Sequence, residues 1–354
     1  MKIWRRVLRF LYIRIAKPLL FLSSPDRMHS WAIALIELFQ SLRLTFLVRV
    51  LFGPRRVQSV EVGGLNLPNK VGLSAGFDKN GQSVPVMGAL GFGFVTVGSI
   101  TLNPRRGNAR PWFFRLPKTK SLVVHAGLAN VGVKEVLRNL KRTRAEGSNA
   151  VVVASVALVA SDANQGVADI INDAIECADI LADSGRVQAI EFNISCPNIQ
   201  DDKLFSVPAN FQMLVDQIDS RGYDMPLLVK MPLLHDVDHF DSLVEIASKS
   251  DVGGLTIANL EKDRGIASKV VVDELPDDIK GGLSGSVTKS HNLTTIKRVR
   301  VNYGDRFFIV GVGGIFNASD AQEYIDSGAD LVGMITGVIF EGPQVVGEIA
   351  DAIN

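Results

Sequence analysis

Within Glu191-Phe192-Asn193-Ile194-Ser195-Cys196-Pro197-Asn198 the chain sets two amides, a hydroxyl and a thiol side by side. An apolar run enters this segment from Ala189 and Ile190, and Pro197 forbids a simple continuation of a strand ladder. Polar groups gathered at the end of a buried strand are costly unless something there needs them. A thiol flanked by amides suits proton removal from a carbon acid, with Cys196 as base and the amides holding a planar polar ring. The structural alternative is a strand-end turn around a small buried cysteine.

Those residues need a scaffold that brings strand ends together. From Asn69 onward short apolar runs alternate with helix-length segments. The runs are Val71–Leu73, Phe94–Val97, Val151–Val153, Ala189–Phe192, Leu227–Val229, Gly254–Ile257, Phe307–Val310 and Leu331–Met334. Helical segments between them include Lys134–Glu146, Val167–Ser184, Asp241–Ser250 and Ala318–Ser327. Eight strand–helix repeats predict an α/β fold, a closed (β/α)8 TIM barrel over 54–354. An open doubly wound sheet is the alternative. Residues 56–68, with Val62-Gly63-Gly64-Leu65 at a turn, are expected to form a hairpin closing the barrel floor.

In such a barrel the chemistry gathers at the carboxyl ends of the strands. The groups expected there are Asp78 and Lys79, Ser99, Ala154 and Ser155, Asn193 to Asn198, Lys230, Asn259, Gly311 to Gly314, and Thr336-Gly337. Glycine clusters ending the last two strands let backbone amides approach a phosphate. Gly281-Gly282-Leu283-Ser284-Gly285 reads as a further flexible approach to the same rim.

The bulk numbers exclude several classes. A net charge of +1 on 354 residues lacks the basic face of a nucleic-acid binder. Two cysteines, Cys177 and Cys196, make neither a disulfide framework nor a metal-ligand spacing. His235 and His239 stand four apart, but no third ligand is evident, so no metal is expected. Asn193-Ile194-Ser195 matches a glycosylation sequon by chance within a buried strand.

Residues 1–53 form a separate unit. Lys2, Arg5, Arg6, Arg9, Arg14 and Lys17 occur with no acid among residues 1–22, interleaved with Ile3, Trp4, Val7, Leu8, Phe10, Leu11, Ile13 and Ile15. That pattern argues against a transmembrane span and for a basic amphipathic helix lying in a membrane surface. A second apolar stretch, Trp31 to Phe52, reads as another surface helix, with Ser23-Ser24-Pro25-Asp26 as the turn between them. The alternatives are a mitochondrial presequence or an ordinary core helix pair.

In order along the chain, Leu22-Ser23-Ser24-Pro25-Asp26-Arg27-Met28-His29, Gly72-Leu73-Ser74-Ala75-Gly76-Phe77-Asp78-Lys79-Asn80-Gly81, Gly91-Phe92-Gly93, Gly107-Asn108, Pro111 and Phe114-Arg115-Leu116 are followed by Gly282-Leu283-Ser284-Gly285, Gly311-Val312-Gly313-Gly314-Ile315 and Phe340-Glu341-Gly342-Pro343. From about Pro18 onward this resembles the dihydroorotate dehydrogenase family, in particular its membrane-associated, quinone-reducing class. The resemblance implies oxidation of dihydroorotate to orotate in pyrimidine biosynthesis, with FMN as cofactor and quinone as acceptor. FMN would rest on Ala75, Gly76, Lys79, Ser99, Asn193 and Lys230, with its phosphate at Gly285, Gly313, Gly314, Thr336 and Gly337. The dihydropyrimidine would meet Lys79, Asn193, Asn198 and Asn259, with Cys196 as base. Quinone would enter between the two N-terminal helices, and residues 1–52 would meet the membrane. The implied location is the cytoplasmic face of a bacterial inner membrane, or alternatively the mitochondrial inner membrane.

The chain departs from the family pattern at several points. The quinone-reducing class carries serine where this chain has Cys196. An Asn-Arg-Met-Gly-Phe-Asn-Asn loop is replaced by Val124-His125-Ala126-Gly127-Leu128-Ala129-Asn130, and Asn-Ile-Gly-Lys-Asn by Ala154-Ser155-Val156-Ala157-Leu158. Leu260 stands for a threonine and Ile335 for an aromatic. Each lost buried partner costs about 1–3 kcal/mol, which opens a second expectation: an FMN barrel acting on a different ring substrate unless His125 or Ser155 compensates. Two further readings are a Schiff-base lyase using Lys230 or Lys79 and a non-catalytic, membrane-associated flavin protein.

Overall fold

The computed structural model describes residues 2–56, 58–144, 148–160, 166–195, 204–271, 273–276 and 278–353. Eight parallel strands close into a barrel whose spatial order follows the chain. They are Val71–Leu73, Phe94–Ile100, Val151–Ala157, Ala189–Asn193, Leu227–Lys230, Gly254–Ile257, Phe308–Val312 and Leu331–Met334, called here the first to eighth barrel strands. The eighth pairs with the first, Met334 opposite Leu73, which completes the ring.

Alternation along each strand sorts the side chains. One set faces the helices and joins the large outer core, exemplified by Val71, Val95, Val152, Ile190, Val229, Leu255 and Ile309. The other set faces the barrel axis and changes character with height. At the floor Phe94, Val151, Val153, Ala189, Leu228, Phe308 and Leu331 pack with Leu65 and Leu67. Those two leucines come from the antiparallel hairpin Val60–Val62 and Leu65–Leu67, turned by Gly63 and Gly64 at φ +56° and +78°. Both signs of φ are those of the tight turn that matches strand twist. Higher on the axis the positions become polar: Ser74, Thr96, Ser155, Glu191, Lys230 and Thr256, all buried. Gly72 makes room for the Phe94 ring, since a Cβ there would stand 2.0 Å from it.

Three strands sit outside the barrel on the same rim. Phe113–Leu116 and Ser121–Val124 form a hairpin, and Gly282–Gly285 adds to it antiparallel. The glycine segment at 281–285, expected as a flexible approach, is therefore a paired strand. Its glycines serve contact: a Cβ on Gly281 would lie 2.3 Å from the Val124 carbonyl oxygen.

The N-terminal segment is helical over Lys2–Leu11, through one π-helical stretch at Tyr12–Ala16, to Lys17–Phe21. Ser24 then caps the next helix, accepting from the Arg27 amide, with Pro25 at its first position. The stretch expected as one helix to Phe52 is two, Pro25–Ser41 and Thr45–Phe52, bent by 112°. The break has a local cause. Arg43 is left-handed at φ 54°, its amide bonds Gln40 O, and the Leu44 amide bonds Phe39 O. This is the double hydrogen bond of a Schellman ending, with arginine where glycine is usual. No single helix among the described residues is long and apolar enough to cross a membrane.

Three of the six N-terminal cations are turned inward. Arg5 pairs with Asp351 at 2.7 Å and reaches the Gly53 and Gly347 carbonyls. Arg9 and Lys120 bracket the buried Glu341 at 2.5 and 2.6 Å. Lys17 donates to Phe340 O, and Tyr12 to Ile339 O. Arg6 and Arg14 stay exposed.

Candidate functional site

At the strand ends the polar groups tie one another in place. Ser155 Oγ and Ser99 Oγ lie 2.9 Å apart, and Asn193 Nδ2 donates to Ser99 Oγ at 2.8 Å. Asn193 Oδ1 accepts from Ser195, whose hydroxyl and carbonyl in turn accept from Asn259 Nδ2 at 2.8 and 2.5 Å. A chain of hydrogen bonds thus runs across four barrel strands from Ser155 to Asn259. It fixes the rotamers of two amides that line the open space above. Ser195, fully buried, is the link between the two amides.

The two lysines differ. Lys79 donates to the Gly76 carbonyl and lies 5.0 Å from the Phe113 ring. Burial pushes its pKa from 10.5 down to about 8, with Asp78 and Asp26 pulling back. Its neighbour Asp78 is not a rim group: its carboxylate accepts from the Gln82 and Ser83 amides and the Ser83 hydroxyl, so it builds the loop. Lys230 is 8% exposed, and its ammonium makes no hydrogen bond or ion pair among the described residues. A buried cation without a partner is costly, and this one faces the cavity.

On the opposite side two glycine turns meet. Gly285, Gly313 and Gly314 have φ of +99°, +109° and +64°. A Cβ on Gly313 would be 2.2 Å from Thr288 Oγ1, and one on Gly285 2.4 Å from Lys120 O. Only backbone fits there. Gly285 precedes the 18-residue helix Ser286–Tyr303, whose N-terminal dipole favours an anion. Ser284 Oγ and Thr336 Oγ1, 3.0 Å apart, complete the wall.

One cavity of about 610 Å³ joins these groups. It is lined by Ala75, Gly76, Lys79, Ser99, Asn193, Lys230 and Asn259, and by Gly313, Gly314, Thr336 and Gly337 at the glycine wall. Gly285 sits beside the lining residue Ser284. Cys196 and Asn198 lie outside the described residues. The cavity continues outward between the N-terminal helices, past Tyr12, Leu20, Phe21, Met28, Trp31, Ala32 and Leu35. His29 faces it, bonded to Phe77 O at 2.9 Å; burial and the Lys79 cation push its pKa from 6.5 to about 4. Arg115 also lines it and binds the Phe21 and Ser23 carbonyls.

The substituted loop presents Ala126, Gly127, Leu128 and Ala129 to this space, and Ala258 and Leu260 face it from the other side. His125 turns away to Asn108 at 3.2 Å. Ser155 is occupied by Ser99, so it steadies Asn193 through the chain of bonds. His235 and His239 have separate partners, Glu261 at 2.8 Å and Ser206 O at 2.5 Å. Cys177 is a core residue, its thiol pKa raised by burial.

A family model described as dihydroorotate dehydrogenase matches residues 57–354. The dihydroorotate dehydrogenase (quinone) of Stenotrophomonas maltophilia strain R551-3 is 33% identical over 352 residues, covering 96% of this chain and 95% of the relative. That of Chromobacterium violaceum is 30% identical over 346 residues, covering 96% of each chain. Among solved structures, ligand-free DHODH from Eimeria tenella superposes with a TM-score of 0.76 at 22% identity, over 90% of this chain and 93% of that one.

Proposed function

Because the chain belongs to the dihydroorotate dehydrogenase family, we propose that it oxidises (S)-dihydroorotate to orotate with FMN as cofactor and quinone as electron acceptor, a step of pyrimidine biosynthesis. The observation that carries this reading is the single cavity reaching from Lys230, Asn193 and Asn259 to the gap between the N-terminal helices. One bound ring can then meet a polar substrate at one side and an apolar acceptor at the other.

The residues present fit FMN. The unpartnered Lys230 ammonium suits a ring that gains negative charge, and the glycine wall at Gly285, Gly313, Gly314, Thr336 and Gly337 suits a phosphate. When bound, FMN supplies the acceptor for substrate hydride and the donor for quinone. Ala75, Gly76 and Ser99 bound the space for its ring. Lys79, Asn193, Asn198 and Asn259 hold the dihydropyrimidine, with Lys79 opposite its carboxylate. Cys196 removes the ring proton; a thiol, with an ordinary pKa near 8.5, ionises more easily than the serine of the quinone-reducing class.

Residues 1–53 act as the membrane- and quinone-facing unit, and 54–354 as the FMN barrel. Trp31, Leu35, Leu38 and Leu42 form an exposed apolar stripe at helical spacing, continued by Phe46 and Val50. They supply the face that lies on lipid, with Arg6 and Arg14 toward headgroups. The location that follows is the cytoplasmic face of a bacterial inner membrane.

The apolar lining at Ala126, Leu128, Ala129 and Leu260 favours a second reading, the same flavin chemistry on a less polar ring. Anaerobic stopped-flow absorbance at the flavin band separates the two. Bleaching by dihydroorotate on a catalytic timescale, abolished in Cys196→Ala, is expected. A yellow protein that stays oxidised overturns dihydroorotate as substrate, and a protein that cannot take up FMN overturns the flavin reading.

A further inference from the structure

Below the site, the barrel axis encloses a small cavity of about 20 Å³. Its polar lining is Ser74, Thr96, Glu191, Lys230 and Thr256. Glu191 is 3% exposed; one carboxylate oxygen accepts from Thr256 Oγ1 at 2.6 Å, and the other, Oε1, has no partner. Ser74 Oγ is likewise buried and unpartnered. Lys230, two residues on from Leu228, which pairs with Glu191 across adjacent strands, reaches the same cavity with its ammonium uncommitted. Two buried oxygens without partners, with the uncommitted Lys230 beside them, therefore share one space large enough for a single water.

Resting on the FMN reading above, we infer that Glu191 is a positioning residue for Lys230. It holds one internal water with Ser74, and through that water its carboxylate balances the Lys230 ammonium. A lone buried carboxylate and a lone buried ammonium are each expensive, whereas a solvent-bridged pair offsets both costs. The geometry also places a negative charge beneath the cation that faces the flavin ring. Glu191 thus sets how much of the Lys230 charge reaches that ring. Nothing in the proton-transfer or phosphate-holding groups needs a carboxylate at this depth.

Sulfite is a direct probe, because its sulfur lone pair bonds the oxidised flavin ring and leaves the ring negatively charged. In FMN-loaded protein, Glu191→Gln keeps the shape and removes the charge. The expected result is sulfite binding about tenfold tighter, a size consistent with one unit charge at partly screened range. The same change made in a Lys230→Met background is expected to do nothing. Damage to the barrel would weaken sulfite binding, so a gain cannot come from disorder. A high-resolution crystal structure, with or without flavin, is expected to show water bonded to Glu191 Oε1 and Ser74 Oγ, and its loss in Ser74→Ala. A dry cavity, or an unchanged or weaker sulfite affinity for Glu191→Gln, overturns the inference. Failure to take up FMN at all instead overturns the reading it rests on.

Discussion

Lys79 carries the most testable charge in the site. With its pKa lowered to about 8, it is protonated below that value and neutral above it. Affinity for an anionic ring such as orotate is therefore expected to be flat below about pH 8 and to fall about tenfold per unit above it. A spectral titration of orotate from pH 6 to 10 checks this; a flat profile through pH 9.5, or the same slope in Lys79→Met, would refute the assignment. Lys230→Met is expected to lose FMN more readily on dilution, measured by released flavin fluorescence, because it removes the buried cation that faces the cavity. Both lysines were legible in the sequence as strand-end cations. Glu191 and Ser74 were not read as functional, because an acid or a serine inside an apolar run gives no sign of which side of the barrel wall it faces. Asp78 misled for a related reason: its position marked the rim, while its carboxylate closes its own loop.

Among the elements, all eight barrel strands stand where apolar runs predicted them. The hairpin over 56–68 was legible too, since Gly63-Gly64 fits its turn chemistry. The strands Phe113–Leu116 and Ser121–Val124 were not, because they pair antiparallel with each other outside the strand–helix alternation that marked the barrel. The helix break at Leu42–Leu44 escaped notice because Arg43 adopts the turn normally signalled by glycine. Gly72→Ala is expected to destabilise the barrel by at least about 3 kcal/mol, because the added methyl meets the Phe94 ring on both strands' inner face. A shifted urea midpoint at constant slope measures it.

His29 gives the helix Pro25–Ser41 a pH dependence. Its pKa falls from 6.5 in the unfolded chain to about 4 in place. Between those values the unfolded state holds more protons, so stability is full above pH 6.5 and declines as pH drops toward 4. The loss is up to about 3 kcal/mol. Denaturation at pH 7 and 4.5 should show this for the wild type, and a smaller difference for His29→Asn.

At the scale of the molecule, the face made by the N-terminal helices and the cavity mouth coincide. Leu38 and Leu42, 50% and 57% exposed, belong to the apolar stripe but do not line the cavity. Leu38→Glu with Leu42→Glu is expected to cut co-sedimentation with anionic vesicles at least tenfold. Its thermal midpoint should stay close to the wild type's, since both positions face outward. Vesicle binding unchanged by this pair would remove the membrane assignment of residues 1–52. The basic character of the first helix was legible in the sequence, but its destination was not. Arg5, Arg9 and Lys17 bind Asp351, Glu341 and Phe340 O, more than three hundred residues away, where no local pattern points to them.

That separation has a consequence for how the chain is made. The helix over residues 2–21 is synthesised more than three hundred residues before Ile339, Phe340, Glu341, Gly347 and Asp351, which receive its side chains. Through that interval Arg9, Tyr12 and Lys17 lack the partners they bind in the folded protein. The helix over residues 2–21 therefore docks only after the barrel has closed, as a late step of folding rather than its nucleus.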